Sequence, residues 1–471
     1  MSESSIAIIG GGLAGLTLSI GLTRQGIAHK IYEGAPAFAE IGAGVSLGPN
    51  SITALELIDP RIKEALKKCI TYNEGLDDDG EGPGKEEWTD VRVGEKHNFN
   101  KLITTIYHTG STKPGRACVH RAKFLNEFIK LVPPSITTFG KSLVSISEVS
   151  TTSELCLKFA DGTSALASAV IACDGIKSVA RQQYVLSDIE DQRICLPVFA
   201  NDFVYRGMFP RAEFLNITSN TINPGKSNVF VGQGSYIIAY PIEKGKLINV
   251  VASKHISTQS VASTIQQEKS WLQPVTRETI LSDFDDWGAP LKNLLSHFER
   301  PERWALYDHL PAPTYVKGRV ALMGDAAHAT TPHQGQGAGM GFEDSFILSS
   351  ILGKMVNGVQ TKPTITESQI SGNQSWNAAI EASFQAYDEV RRKRTQEVTR
   401  TSREAMEIWG FGGEGIGRDL QKMKANVDVR MNWIWDIDLP GEVERGVEIA
   451  RKALMRGCER LSTSGASSRS L

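Results

Sequence analysis

The sequence is poor in the features that would assign it at a glance. Its 471 residues hold six cysteines, Cys69, Cys118, Cys156, Cys173, Cys195 and Cys458. They form no CxxC pair and no metal-ligand spacing, so neither a metal site nor a disulfide framework is expected. Reduced thiols of a cytoplasmic protein are the expectation instead. Neither sign of charge dominates: 51 Lys and Arg against 53 Asp and Glu leave a formal net charge of −2, which provides no field to attract nucleic acid. Long apolar runs are also missing. The nearest approach, residues 6–22, is interrupted by Gly10, Gly11, Gly12 and Gly15 and preceded by Ser2, Glu3 and Ser4, which argues against a signal peptide or a membrane span. No internal repeat of solenoid or propeller length is present. Asp77, Asp78 and Asp79 are adjacent, not alternate, and lack a correctly spaced Glu, so they read as a polar loop rather than a calcium loop. Arg469-Ser470-Leu471 matches a peroxisomal ending only loosely, and the serine-rich stretch 462–470 reads as a frayed terminus.

What is present is globular: 41% hydrophobic and 22% charged residues, over a length that calls for more than one core. Residues 5–10 form a β-rich apolar run, residues 13–25 a helical pattern, and residues 29–32 a second short strand. Between the first two lies Gly10-Gly11-Gly12-Leu13-Ala14-Gly15, a GxGxxG turn. Gly10 permits the turn, Gly12 lets backbone approach a pyrophosphate, and Gly15 lets helix and strand pack closely. Leu13 and Ala14 open the helix whose free N–H groups face the phosphates. Glu33 stands eighteen residues beyond Gly15, where a carboxylate accepts from ribose hydroxyls. This βαβ unit fits FAD or NAD and disfavours a 2′-phosphate, but does not choose between the first two.

Two further motifs follow apolar strands: Cys173-Asp174-Gly175, and Gly324-Asp325-Ala326-Ala327-His328 with Pro332-His333-Gln334-Gly335-Gln336-Gly337-Ala338-Gly339 beyond it. With GxGxxG and the Trp433-Ile434-Trp435-Asp436 segment, they make the chain resemble the class A FAD-dependent aromatic hydroxylases, and especially the fungal salicylate hydroxylase-like monooxygenases. The resemblance covers most of the chain. It implies an α/β fold with α+β elements like that of p-hydroxybenzoate hydroxylase: a Rossmann-like FAD-binding domain, an inserted β-sheet substrate domain and a helical C-terminal part. The corresponding segments are 1–73, 99–181 and 301–355 for the FAD domain, 74–98 and 182–300 for the β-rich region, and 356–471 for the helices. It also implies that Asp325 and Arg121 contact FAD and that the backbone of Gly335, Gly337 and Ala338 lies against the flavin. Asp174 either serves the cofactors or simply caps the turn before Ser178. No second GxGxxG opens a βαβ unit, so NADH or NADPH is expected to bind only transiently.

The implied reaction uses NAD(P)H and O2 to hydroxylate a small phenolic or aromatic acid through a flavin C4a-hydroperoxide, with decarboxylation where the substrate is salicylate-like. Arg206 and Tyr240 match positions that hold a phenolate in related fungal phenol hydroxylases. A guanidinium there would lower a phenol's pKa. His333 is a candidate to touch substrate or relay a proton, whereas His328 reads as structural. The competing readings are a hydroxylase of a polyketide-type phenol in secondary metabolism, a flavin oxidoreductase that uses no oxygen, and a non-catalytic flavin-binding protein. Monomer and homodimer both remain open, and no membrane or nucleic-acid partner is expected.

Overall fold

The computed structural model describes residues 5–38, 44–108, 114–150, 152, 154–256, 271–361 and 372–467. Its centre is a six-stranded sheet in the order Val316–Lys317, Val320–Leu322, Ala169–Ala172, Ile6–Ile9, His29–Tyr32 and Thr137–Thr138. All neighbours are parallel except the first pair. Every residue of Ile6–Ile9 and Ala169–Ala172 is buried, as expected for strands covered on both faces. The apolar stretch that reads as one strand over 316–323 is a tight hairpin instead, because Gly318 turns the chain at φ +54°. The stretch 165–173 also divides. Ser164–Ala167 closes a three-stranded antiparallel meander, and Ala169–Ala172 enters the central sheet.

The glycines of the first turn are fixed by space. A Cβ on Gly10, which sits at φ +99°, would meet Cys173 O at 2.4 Å, and one on Gly15 would meet Gly10 O at 2.0 Å. The following helix, Leu13–Arg24, packs against the helix Gly337–Thr361, where Thr17 Oγ1 and Ser345 Oγ lie 2.8 Å apart. Residues 51–66 read as one helix but form two, Pro49–Ile58 and Pro60–Cys69. The chain breaks at Asp59-Pro60, and Asp59 caps the second helix by accepting from Arg61 N at 2.8 Å.

A second, eight-stranded sheet runs Leu272–Pro274, Glu302–Asp308, Val198–Pro210, Leu247–His255, Ser235–Ile242, Asn228–Gly232, Glu87–Val93 and Leu102–Tyr107. The expected segment boundaries shift accordingly. Leu102–Tyr107 and Glu302–Asp308, placed on the dinucleotide side of the expected breaks, pair within this sheet. Alternation along an isolated strand does not say which sheet its edge will join. One face carries Tyr205, Ile237 and Ala239 into a core with Phe284, Trp287 and Leu291. The opposite face carries Arg206, Tyr236, Ile238 and Tyr240.

The C-terminal part is helical, with Gly372–Trp409 packed on Gly337–Thr361 and Leu439–Ser467 packed on both. The last of these takes in much of the stretch expected to fray, while Arg469-Ser470-Leu471 lies outside the described residues. Beneath the Gly324 turn, Arg391 donates to Glu343 Oε2 and Asp344 Oδ1, each at 2.7 Å, with all three side chains fully buried.

Removing the charge from one partner of such a buried cluster strands the others. Arg391→Met is expected to lower unfolding free energy by about 3–5 kcal/mol, read by urea denaturation. A wild-type midpoint and slope would count against a central role for the cluster. Burial opposes ionisation of Asp344, but His328 and Arg391 outweigh it and hold the carboxyl at about 2. Its folded pKa lies below the unfolded value of about 3.9, so its contribution is complete above that value and is lost as the pH falls through the folded one. Asp344→Asn should therefore flatten the acid limb of the stability–pH curve between about pH 4 and pH 2.

Candidate active site

A cavity of about 410 Å³ lies between the two sheets. On the dinucleotide side it is lined by Gly12, Leu13, Ala14, Arg121, Asp325, Gly335, Gly337 and Ala338. The substrate-side candidates Arg206, Tyr240 and His333 line the same cavity. A second cleft of about 370 Å³ shares Gly12, Cys173 and Gly175 with the first and adds Gly10, Glu33, Asp174 and Lys177. The candidate residues therefore fall along one continuous path, except Gly15, which packs beneath the turn.

Each part of this path suits a dinucleotide. Gly12 is the N-cap of Leu13–Arg24 and no side chain caps that helix, so its first N–H groups are available to phosphate. Glu33 accepts from Gly11 N at 2.6 Å and from Ala35 N at 2.7 Å, which fixes the carboxylate at the edge of the second cleft. Asp174 does cap its turn: Oδ2 accepts from Val179 N at 2.9 Å and Ala180 N at 3.3 Å. Its Oδ1 is buried without a partner, and burial raises its pKa despite those bonds. Such an atom calls for a donor, which a ligand in the cleft can supply. Asp325 is exposed to the cavity just after Gly324, at φ +60°, and its carboxylate has no protein partner among the described residues. Gly335 adopts the left-handed conformation at φ +65°, so the loop after His333 presents bare backbone to the cavity. An elongated ligand with a pyrophosphate and a flat ring system fits this set of donors and glycines.

The other wall is built differently. Tyr240 is buried, with the Arg116 guanidinium 5.0 Å from its ring, and a Cβ on Gly44 would meet its hydroxyl at 2.6 Å. Burial raises its pKa, so it stays a protonated donor at neutral pH. Arg206 stacks 5.0 Å from the Trp304 ring and has no carboxylate partner among the described residues. Burial by surrounding protein lowers its pKa, yet the residue keeps exposed surface, and a guanidinium so placed remains charged. Burial is complete for the His333 side chain: Nδ1 meets Tyr236 Oη at 3.0 Å and Nε2 meets Asp202 Oδ2 at 3.1 Å. His328 has a structural partner, Asp344 Oδ2, at 2.6 Å.

Several lining residues escape the sequence reading: Tyr236, Arg116, Trp88, Asn249, Trp409 and Arg430. Tyr236 had a usable signal, since it stands four residues before Tyr240 on the same strand and so on the same face. Arg430 and Trp409 had none, because their approach depends on how the C-terminal helices dock.

Fold and cavity together define an FAD-binding oxidoreductase with a separate, side-chain-lined chamber beside the flavin site. The family described as "FAD binding domain" matches residues 150–368. The chain is 36% identical to the 6-methylsalicylate 1-monooxygenase of Aspergillus terreus, over 92% of this chain and 90% of that protein. It is 32% identical to a salicylate hydroxylase of Pseudomonas putida, over 92% of both. Among solved structures, a salicylate hydroxylase substrate complex superposes with a TM-score of 0.77 at 31% identity, covering 95% of this chain and 98% of that one. The chain belongs to the class A FAD-dependent aromatic hydroxylases, with their p-hydroxybenzoate hydroxylase-like fold. No helix among the described residues is long and apolar enough to cross a membrane.

Asp325→Ala removes a carboxylate that lines the flavin side and has no protein partner among the described residues. A charge-assisted hydrogen bond is worth about 1.5–3 kcal/mol, so FAD affinity should fall roughly 10- to 100-fold, measured by fluorescence titration of apoprotein. Unchanged affinity would place the cofactor elsewhere.

Proposed function

We propose that this enzyme hydroxylates a small 2-hydroxybenzoate with loss of the ring carboxylate as CO2, and that Arg206 holds the substrate anion. The Arg206 guanidinium, which lines the cavity and has no carboxylate partner among the described residues, carries the reading. It is a cation awaiting an anion, and a wall of Val229, Ile238, Val251 and Trp409 would press against a flat ring. The names of the relatives, which act on salicylate and 6-methylsalicylate, support the same substrate class.

In the balanced reaction NAD(P)H provides two electrons, one atom of O2 enters the ring and the other leaves as water. Bound FAD would supply that redox and oxygen chemistry. The protein's own task is to bind, orient and keep the ring dry. Arg206 would lower the pKa of the phenol beside it and raise electron density in the ring. Tyr240, protonated and held by Arg116 and the Gly44 backbone, would donate to an oxygen of the substrate. His333 would set the proton inventory at the opposite end of the strand through Tyr236. Among the described residues Cys69, Cys118, Cys156, Cys173 and Cys195 are all unpaired, which suits the reducing, NAD(P)H-rich cytoplasm.

A panel of hydroxybenzoates tests this, scoring stimulated NAD(P)H oxidation together with product mass and CO2. Turnover of larger phenols alone, with no CO2 from any 2-hydroxybenzoate, would overturn it. Arg206→Ala should keep its flavin and lose no more than about 1 kcal/mol of stability, the worth of its contact with the Trp304 ring. Its product formation should drop at least about 100-fold. Normal coupled turnover by that variant would remove Arg206 from the site.

A further inference from the structure

A second arginine without a counter-ion among the described residues lines the cavity, and it is far better hidden than Arg206. Arg116 precedes the strand Ala117–His120, which pairs with Gly44–Leu47 on the dinucleotide side. Its side chain reaches across to the eight-stranded sheet. There the guanidinium lies 4.9 Å from the Trp88 ring and 5.0 Å from the Tyr240 ring. The residue is 4% exposed. Its single hydrogen bond among the described residues runs from Nη2 to Ser46 Oγ at 2.8 Å, and Nε is buried with no partner. Other arginines of the cavity are placed differently: Arg430 pairs with Glu404 at 3.2 Å, and Arg121 stands on the dinucleotide side.

A buried charge with unused donors is costly to a fold. The two aromatic faces offset part of that cost, but neither gives Nε an acceptor. An anion in the cavity would. The surroundings hold the guanidinium in place for one. Trp88 is 5% exposed, with its ring 4.8 Å from that of Trp435. Beyond it the lining continues as Ile106, Val229, Val427 and Met431, which offer a ring an apolar surface and an anion no competing charge.

Arg206 and Arg116 cannot grip neighbouring atoms of one ring. Arg206 is carried by Val198–Pro210 and leans on Trp304 of the next strand outward. In the other direction Tyr240 is two strands away and Trp88 four. At about 4.8 Å per strand, the Arg116 guanidinium between them stands roughly 10–19 Å along the sheet from the Arg206 strand. The hydroxyl and carboxylate of a 2-hydroxybenzoate are on adjacent carbons and fall short of that span. Acidic groups at opposite ends of a ring, with a hydrogen bond at each end, match it.

We propose that Arg116 is a second anion subsite of the chamber, and that it selects a 2-hydroxybenzoate with a further carboxylate across the ring from the first. The proposal rests on a 2-hydroxybenzoate binding at Arg206. The hydroxyl and the departing carboxylate face Arg206. The further carboxylate accepts from Arg116 Nε in the plane of the guanidinium and stays on the ring through turnover. A ligand that lacks it leaves a buried donor unsatisfied, which is the source of the discrimination.

The test titrates FAD-loaded enzyme with 2-hydroxyterephthalate and with its 4-carbamoyl analogue, of the same shape but neutral at that position, and follows the flavin absorbance. Wild type should bind the diacid roughly 10- to 100-fold more tightly, the range of a charge-assisted hydrogen bond. In Arg116→Gln that ratio should fall to about 1 whatever the absolute affinities, while Arg116→Lys should keep part of it. A merely structural arginine would move both affinities together and leave the ratio unchanged, and that result would overturn the subsite. Loss of flavin from the Gln and Lys variants alike would also overturn it, because the guanidinium would then serve the cofactor. Wild-type enzyme that binds salicylate but does not separate the diacid from the amide would overturn the subsite and leave the substrate reading standing. Wild-type enzyme that binds no hydroxybenzoate would overturn both.

Discussion

Two adjacent buried carboxylates, Glu343 and Asp344, hold this enzyme together at the point where its parts meet. Side by side in a dry interior they would repel each other and resist ionisation. They are tolerated because cations and amides converge on them from three directions. Arg391 bridges both carboxylates from the helix Gly372–Trp409. Arg394, one turn on, donates to both Glu343 oxygens and to the backbone carbonyls of Trp433 and Ile434. Asp344 Oδ2 takes the Gly324 N–H at 3.1 Å and His328 at 2.6 Å. The turn that presents Asp325 to the cavity is thus anchored to the C-terminal helices by charge as well as by the apolar packing of Met323.

The second constraint is strand register. In Ser235–Ile242, Tyr236, Ile238 and Tyr240 face the cavity while Ile237 and Ala239 face the core. Arg206 stands opposite Val251, which also lines the cavity, and Asp202 stands opposite His255. A slip of one residue would bury Arg206 among Phe284 and Trp287 and send the core residues into the chamber. The core of Phe, Trp and Leu beneath the sheet therefore specifies the chemistry above it, because only one register satisfies both faces.

Much of this is legible in the sequence where the chemistry is local. A GxGxxG turn, a Gly-Asp turn and a glycine loop carry their own conformational requirements, and Gly10, Asp325 and Gly335 stand where those requirements place them. The strand Glu87–Val93 is less legible, since it lies in a polar stretch and buries only Trp88, Thr89, Val91 and Val93. Its parallel pairing with Asn228–Gly232 joins residues that no short window contains. Pairs such as Asp202 with His255, or Glu343 with Arg391, are invisible for the same reason: each is an ordinary charged residue until tertiary structure removes its water. His333 could be singled out from its place in the flavin loop. Its partners could not.

The two walls of the cavity also differ in what they cost the fold. The flavin side is mostly backbone, glycine and helix terminus, with Asp325 left without a partner among the described residues. The chamber side keeps Arg206 without a counter-ion among the described residues. Because the residue is exposed, the penalty of leaving that guanidinium unpaired is modest. When a flat ring displaces the water, the local dielectric falls and the attraction for an anion grows severalfold. The apolar wall of Ile238, Val251 and Trp409 thus does more than accommodate a ring, because its dryness once filled strengthens the selectivity of Arg206 for an ionised ligand. A counter-ion built into the protein would make the chamber more stable when empty and would weaken it as a site for an acid.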